Sequence, residues 1–325
     1  MRLFSNTHID FLGYRRLAYW ISAAIIIPGL MLIPVFGINY SVEFTGGTQV
    51  HIRTAEPGDV ARMRQALSDN GVTGAEIIQF GSDTEFIIRA RVAVEGADAD
   101  NTQATVAAVS AALDAVIGAD QWEVLEAAAV SPKVGGELRQ KAFFAILLSF
   151  VAVLFYLWYR FEWRFGAAAV AATVHDILAT VAFIAVFRIE VSLFVVGALL
   201  SVVGYSLNDT IVIFDRVREN LRRSKREDFV GILNDSINQT LPRTALTSGT
   251  SFAVLLALAT LGGEVVRPFA LVMLFGVAVG TYSSIFIASP VLLAIERRWP
   301  GAQVRGVKSA VPGTASKRKR PQTVS

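Results

Sequence analysis

In "YSLNDTIVIFDR" (205–216) an Asn–Asp pair, Asn208 and Asp209, follows a stretch, 191–207, that carries no charge, and Ile211 to Phe214 are apolar again. "TVHDI" (173–177) places His175 and Asp176 inside another apolar run. An Asp at the centre of a membrane helix costs at least about 2.5–3.5 kcal/mol, so such residues face a bundle interior or a wet cavity. The chemistry open to a carboxyl there is uptake and loss of a proton. A low-dielectric setting disfavours the charged form of a carboxyl, and a nearby guanidinium favours it. A group balanced between the two changes protonation as helices move. One elementary charge crossing 100 mV is worth about 2.3 kcal/mol, a usable driving force for a conformational cycle.

On this reading Asp209 is the proton carrier and Arg243, at the edge of a later apolar run, is its switchable counter-charge. Plainer roles fit the same residues. Asp209 can be a hydrogen-bond acceptor that ties helices together, and Arg243 can snorkel to the headgroups. Asn208, His175 and Asp176 serve either in the proton relay or in helix packing. A metal centre is not expected, because His8, His51 and His175 fall in three different segments and there is no cysteine. The missing cysteines also exclude disulfides. No G-x-x-x-x-G-K-[ST] occurs, so ATP is not the obvious energy source. Two membrane aspartates suit an intramembrane protease, but "GYSLND" lacks the G-x-G-D pattern of those enzymes. The chain therefore reads as a non-enzyme with no cofactor, run by a proton gradient.

These residues need helices to hold them. The chain has 325 residues, 53% hydrophobic and only 18% charged, where soluble domains carry about 25% charged. A bilayer-crossing helix takes roughly 20 apolar residues, and six runs qualify: 17–37, 140–159, 165–187, 191–214, 244–262 and 268–295. The first is too long for a signal-peptide core of about 7–15 residues and no A-x-A site follows, which predicts an uncleaved anchor. Lys and Arg in short loops set direction. Arg2, Arg15 and Arg16, then Arg160 and Arg164, then the seven from Arg216 to Arg243, then the tail from Arg297 to Arg320 all fall on one side. The opposite short loops hold only Arg188 and Arg267. Both termini, 1–16 and 296–325, are expected on the cytoplasmic face.

Spacing then sorts the faces. Gly197, Ser201, Tyr205 and Asp209 recur at i+4, with Gly204 and Asn208 beside them. Arg243, Thr247, Thr250 and Ser251 form a polar stripe, as do Gly276, Gly280, Ser283 and Ser284. Ala168 and Ala172 precede Asp176. Small residues let helix backbones approach closely, so these faces are expected to meet around one shared axis.

Residues 38–139 lack a long apolar run and belong on the far side. "TQVHIRT", "AEIIQF", "EFIIRARV" and "QWEVLEAAAV" read as strands, the middle two joined by the turn 81–84. "PGDVARMRQALSDNG" and "NTQATVAAVSAALDAVIG" read as helices. The order βαββαβ predicts an inserted α+β ferredoxin-like domain on an otherwise all-α membrane bundle. Gly46 and Gly47 mark its entry and serve as a structural turn or as a hinge. On the near side, 215–243 reads as a basic loop that carries a short amphipathic helix through Phe229, Ile232, Leu233 and Ile237. The tail beyond Pro300 reads as disordered, with "KRKR" (317–320) touching anionic membrane lipids rather than nucleic acid.

Five motifs occur together in order: "VEFTGGTQV", "TVHDI", "VVGYSLNDTIVIFDRVREN", "SINQTLPRTALTSGT" and "FGVAVGTYSSIFIASP". From "HIDFLGYRR" to about Trp299 the chain resembles the SecF branch of the SecD/SecF protein-export family. Glu43 stands where that family more often has Asp. The resemblance implies half of an RND-type transporter, with SecD supplying the other half. It implies proton conduction through Asp209 and Arg243, and a periplasmic domain that grips emerging preprotein. It also implies work beside the SecYEG channel and YajC in the bacterial inner membrane. An RND-like small-molecule efflux subunit is the nearest rival, though one compact far-side domain of this size is too little for a full pump. A scaffold without proton coupling is the other alternative.

Overall fold

The computed structural model describes residues 7–72, 75–90, 102–130, 132–223 and 228–300. A 3-10 turn, Leu12–Tyr14, leads into α1 (Arg15–Phe36). A short helix, α2 (Val42–Thr45), precedes β1 (Gly47–Thr54), α3 (Val60–Asp69), β2 (Glu76–Gln79), β3 (Glu85–Ala90), α4 (Thr102–Val116) and β4 (Trp122–Val130). The long helices follow: α5 (Pro132–Arg160), α6 (Trp163–Val186), α7 (Leu193–Arg223) and α8 (Phe229–Leu261). Finally α9 (Gly263–Ser283) passes through a π-helical segment, Ser284–Ala288, into α10 (Ser289–Arg298). Among the described residues, six helical stretches are long and apolar enough to cross a membrane.

The strands form one small sheet in the order β2-β3-β1-β4, antiparallel throughout. Val50 and Ile52 of β1 and Phe86 and Ile88 of β3 turn to one face, where Met63 and Leu67 of α3 and Leu113 of α4 close a compact core. Asp59 starts α3 by accepting hydrogen bonds from the Ala61 and Arg62 amides, an N-cap that satisfies otherwise unpartnered N–H groups. Gly46 (φ +75°) and Gly47 (φ +135°) lie in the left-handed region, which only glycine enters without strain.

In the membrane part, α6, α7 and the α9–α10 stretch are the most buried, while α1, α5 and α8 expose most of their apolar surface. Small residues set this packing. A Cβ on Gly276 of α9 would lie 2.1 Å from Val202 of α7, and one on Gly29 of α1 would lie 2.4 Å from Ala182 of α6. No L side chain fits at such distances without a shift of the neighbour.

Two expectations need correction. Residues 215–243 are not a loop with a separate surface helix: α7 continues to Arg223 and α8 runs unbroken from Phe229 to Leu261. The apolar period of Phe229, Ile232, Leu233 and Ile237 is real, but it packs against Phe11, Leu12, Phe214 and Val217 in the main core instead of against lipid. Residues 132–139 belong to α5, so the sheet domain ends earlier than expected. The last span, expected at 268–295, is one helical stretch, Val265–Arg298, with a π-helical segment inside it. The basic tail and 224–227 lie outside the described residues.

Candidate functional site

Asp176 and Asp209 are both buried, at 1% and 3% exposure, and their carboxyls have no hydrogen-bond partner in common among the described residues. Each has its own polar nest, and α7 and α9 contribute to both.

Around Asp176 the partners are dense. Ser283 donates to its Oδ2 at 2.7 Å, and Ser206 donates to the same oxygen. His175 Nδ1 lies 2.9 Å from Oδ1. The imidazole continues to α1, where its Nε2 lies 2.8 Å from Ser22 Oγ. Ser22 Oγ is 3.2 Å from the Tyr282 hydroxyl, which donates to the Ala18 carbonyl at 2.6 Å. Gly280 lets this happen, since a Cβ there would meet Ser206 at 3.0 Å. Four helices, α1, α6, α7 and α9, are thus joined through one carboxyl.

Asp209 is held more loosely. Ser248 Oγ of α8 and Thr281 Oγ1 of α9 lie 3.4 and 3.5 Å from its Oδ2 and 2.7 Å from each other, so one hydroxyl hydrogen is spent between them and one is left for the carboxyl. Arg243 is exposed on α8 and forms no ion pair with Asp209 among the described residues. Its charge reaches the carboxylate only through space. Asn208 is exposed, and with Ser201 and Gly204 it makes an open polar strip on α7. A Cβ on Gly204, or on Gly249 of α8, would meet nothing within 4 Å.

The sequence singled out Asp176, His175 and Asp209 correctly as buried or nearly buried polar groups, but it missed Ser22, Ser206, Ser248, Thr281 and Tyr282. Gly46 and Gly47 lie far from both carboxylates, beside α5, where Gly135 comes so close that a Cβ would sit 3.0 Å from the Gly46 nitrogen. No cluster of metal-ligating side chains exists among the described residues.

Residues 109–298 match the family model described as protein export membrane protein SecD/SecF, C-terminal. Residues 32–57, with the glycine pair, match the SecD/SecF GG motif. The chain is similar to the protein translocase subunit SecF of Gemmatimonas aurantiaca, at 49% identity over 98% of this chain and 97% of that one. It is similar to the SecF subunit of Magnetococcus marinus at 44% identity, over 91% of this chain and 94% of that one. Among solved structures, SecDF of Thermus thermophilus, described as a translocon-associated membrane protein, aligns with a TM-score of 0.80 at 33% identity. That alignment covers 92% of this chain and 40% of the SecDF chain, so this chain spans well under half of that protein.

Proposed function

The chain belongs to the SecD/SecF family of protein-export membrane proteins, and from that premise we propose that it is a subunit of the Sec translocase accessory complex that uses the proton gradient to promote preprotein movement. The carrying observation is Asp209: a carboxyl inside the apolar bundle, met among the described residues by two long hydroxyl contacts, beside an open polar strip on α7. A carboxyl so weakly tied can exchange a proton without dismantling a network. Arg243, with no ion pair among the described residues and one helix away, supplies the counter-charge when α8 shifts. Asn208 lines the strip through which water reaches the site.

The strip itself fits a second transmembrane half. Exposed Ser201, Gly204 and Asn208 leave small and polar surface bare at membrane depth, where a lipid tail is a poor partner and a small-residue helix face a good one. SecD is the partner we assign to it, consistent with a SecDF chain more than twice this length. In this reading the six helices form half of an RND-type transporter in the bacterial inner membrane with both termini cytoplasmic. The sheet domain is ferredoxin-like, lies in the periplasm, pivots at Gly46 and Gly47, and meets preprotein as it leaves SecYEG, with YajC nearby.

The test uses inverted vesicles that hold this chain with SecD, SecYEG and SecA, and follows preprotein translocation with and without a proton gradient. Asp209→Asn is expected to remove the gradient-dependent part and leave the ATP-driven part. A full gradient response in the variant defeats the assignment of Asp209.

A further inference from the structure

The nest around Asp176 is closed enough for its hydrogens to be placed one at a time. Tyr282 has a single hydroxyl hydrogen and spends it on the Ala18 carbonyl at 2.6 Å. The contact between Ser22 and Tyr282 therefore has Ser22 as donor. Ser22 has no second hydrogen, so it accepts from the ring, and His175 Nε2 must carry a proton. At the other end, Ser206 and Ser283 both donate to Asp176 Oδ2. Ser283 also lies 3.2 Å from the Gly280 carbonyl, the longer of its two contacts. Oδ2 is thus an acceptor only.

What remains is the 2.9 Å contact between His175 Nδ1 and Asp176 Oδ1. With Nε2 protonated, a neutral ring offers only a lone pair at Nδ1, and a carboxylate offers only lone pairs at Oδ1. Two acceptors facing each other in a buried site would leave both unsatisfied, which costs on the order of the desolvation of each group. One proton between them removes the conflict. It sits on Oδ1, giving a neutral acid and neutral ring, or on Nδ1, giving a carboxylate and an imidazolium. Net charge is zero in both arrangements.

We propose that His175 and Asp176 are a second proton-binding site of the bundle, a net-neutral pair that holds one shared proton and through it fastens α1 to α6, α7 and α9. The site is separate from Asp209 and does not depend on Asp209 carrying protons. Tyr282 is the one other titratable side chain hydrogen-bonded into this network among the described residues. The contrast between the nests has a physical basis. Asp176 and His175 have their valences filled by short contacts, which retains a proton, whereas the long contacts of Asp209 suit release.

The experiment takes the full chain in lipid nanodiscs with nitrogen-15 histidine. The His175 signals are those that vanish in His175→Gln. Nitrogen shifts are expected to show Nε2 protonated and Nδ1 in a proton-sharing hydrogen bond. An Nδ1–H tautomer with bare Nε2 overturns the proposal. A second readout uses Asp176→Asn, whose amide nitrogen donates to Nδ1 while its oxygen accepts from both serines, so it copies the neutral acid. Its thermal midpoint is expected to stay near that of the parent chain, and its ring to become a plain Nε2–H tautomer. Asp176→Ala, which strips all three partners, is expected to fall well below. If Asp176→Asn is as damaged as Asp176→Ala while the parent ring reads as a neutral Nε2–H imidazole, a carboxylate with no shared proton stands there and the proposal is wrong.

Discussion

At the scale of single residues, space and hydrogen-bond capacity decide which polar positions matter. Two glycines make the point. Gly276 of α9 faces Val202 of α7 so closely that an added Cβ would sit 2.1 Å from a methyl carbon, while at Gly204 of α7 it would meet nothing. Gly276→Ala is therefore expected to push α9 off α7 and cost about 1–3 kcal/mol, the usual penalty of overpacking. Gly204→Ala should be near neutral in the isolated chain. Thermal unfolding in detergent of the two variants side by side checks this, and equal midpoints would contradict the packing described. The hydroxyls tell a related story about what the sequence could reveal. Asp176 and Asp209 were legible because a carboxyl in an apolar run has few inexpensive explanations. Their partners were not. Serine and threonine in helices commonly donate to their own chain three or four residues back, and Thr247, Thr250 and Thr260 all do so here. Ser248, one residue from the stripe marked out by spacing, is the one that crosses to Asp209. Composition cannot separate the two behaviours.

At the scale of elements, α8 shows how periodicity can be right about a face and wrong about its neighbour. An apolar stripe after a basic stretch fits a helix on a membrane surface equally well as a helix packed on protein. The early turns of α8 settle it through Asn234 and Asn238, which clasp the segment before α1. Asn238 accepts from the Ile9 amide at 3.0 Å and donates to the Ile9 carbonyl at 2.9 Å, a reciprocal pair. Asn234 accepts from the Leu12 amide and donates to Asp10. Neither contact, more than 220 residues apart in sequence, has any local signal. Asn238→Leu keeps the helix and removes the clasp, so the backbone groups of Ile9 must find water. The expected cost is about 0.5–1.5 kcal/mol, because Ile9 is exposed and water can replace the amide. The expected sign is faster protease cleavage near Ile9 with unchanged helical circular dichroism. An unchanged cleavage rate would mean that Asn234 and the apolar contacts of Phe11 and Leu12 hold the segment without Asn238.

At the scale of the whole molecule, the sheet domain meets the helical part around the turn between α6 and α7. Tyr40 and Val191 form an isolated β-bridge, Glu43 accepts from the Leu193 amide at 2.7 Å, and Arg89 of β3 pairs with Glu190 at 2.6 Å. Glu43 thus satisfies a backbone N–H at the start of α7. Burial pushes the Glu190 carboxyl above the ordinary carboxylate range against the pull of Arg89, and Glu76 and Glu43 add to the rise. A raised carboxyl binds its proton more tightly folded than unfolded. Its contribution to stability is therefore full below the ordinary glutamate value and is lost as pH rises through the folded one. Arg89→Ala removes the pull, raises Glu190 further and leaves a charge with no partner. With side-chain exposures of 15% and 20% the cost at pH 7.5 should be about 1–3 kcal/mol, below the 3–5 kcal/mol of a fully buried broken pair. The sign with pH follows: the Arg89→Ala deficit should shrink as pH falls from 7.5 toward 5, because a protonated Glu190 needs no cation. Adding Glu190→Gln to Arg89→Ala should abolish that recovery, since the amide does not titrate. Midpoints of thermal unfolding for the three chains at several pH values decide it, and a deficit that stays constant with pH would show that Arg89 acts through Glu76 and packing instead of through Glu190.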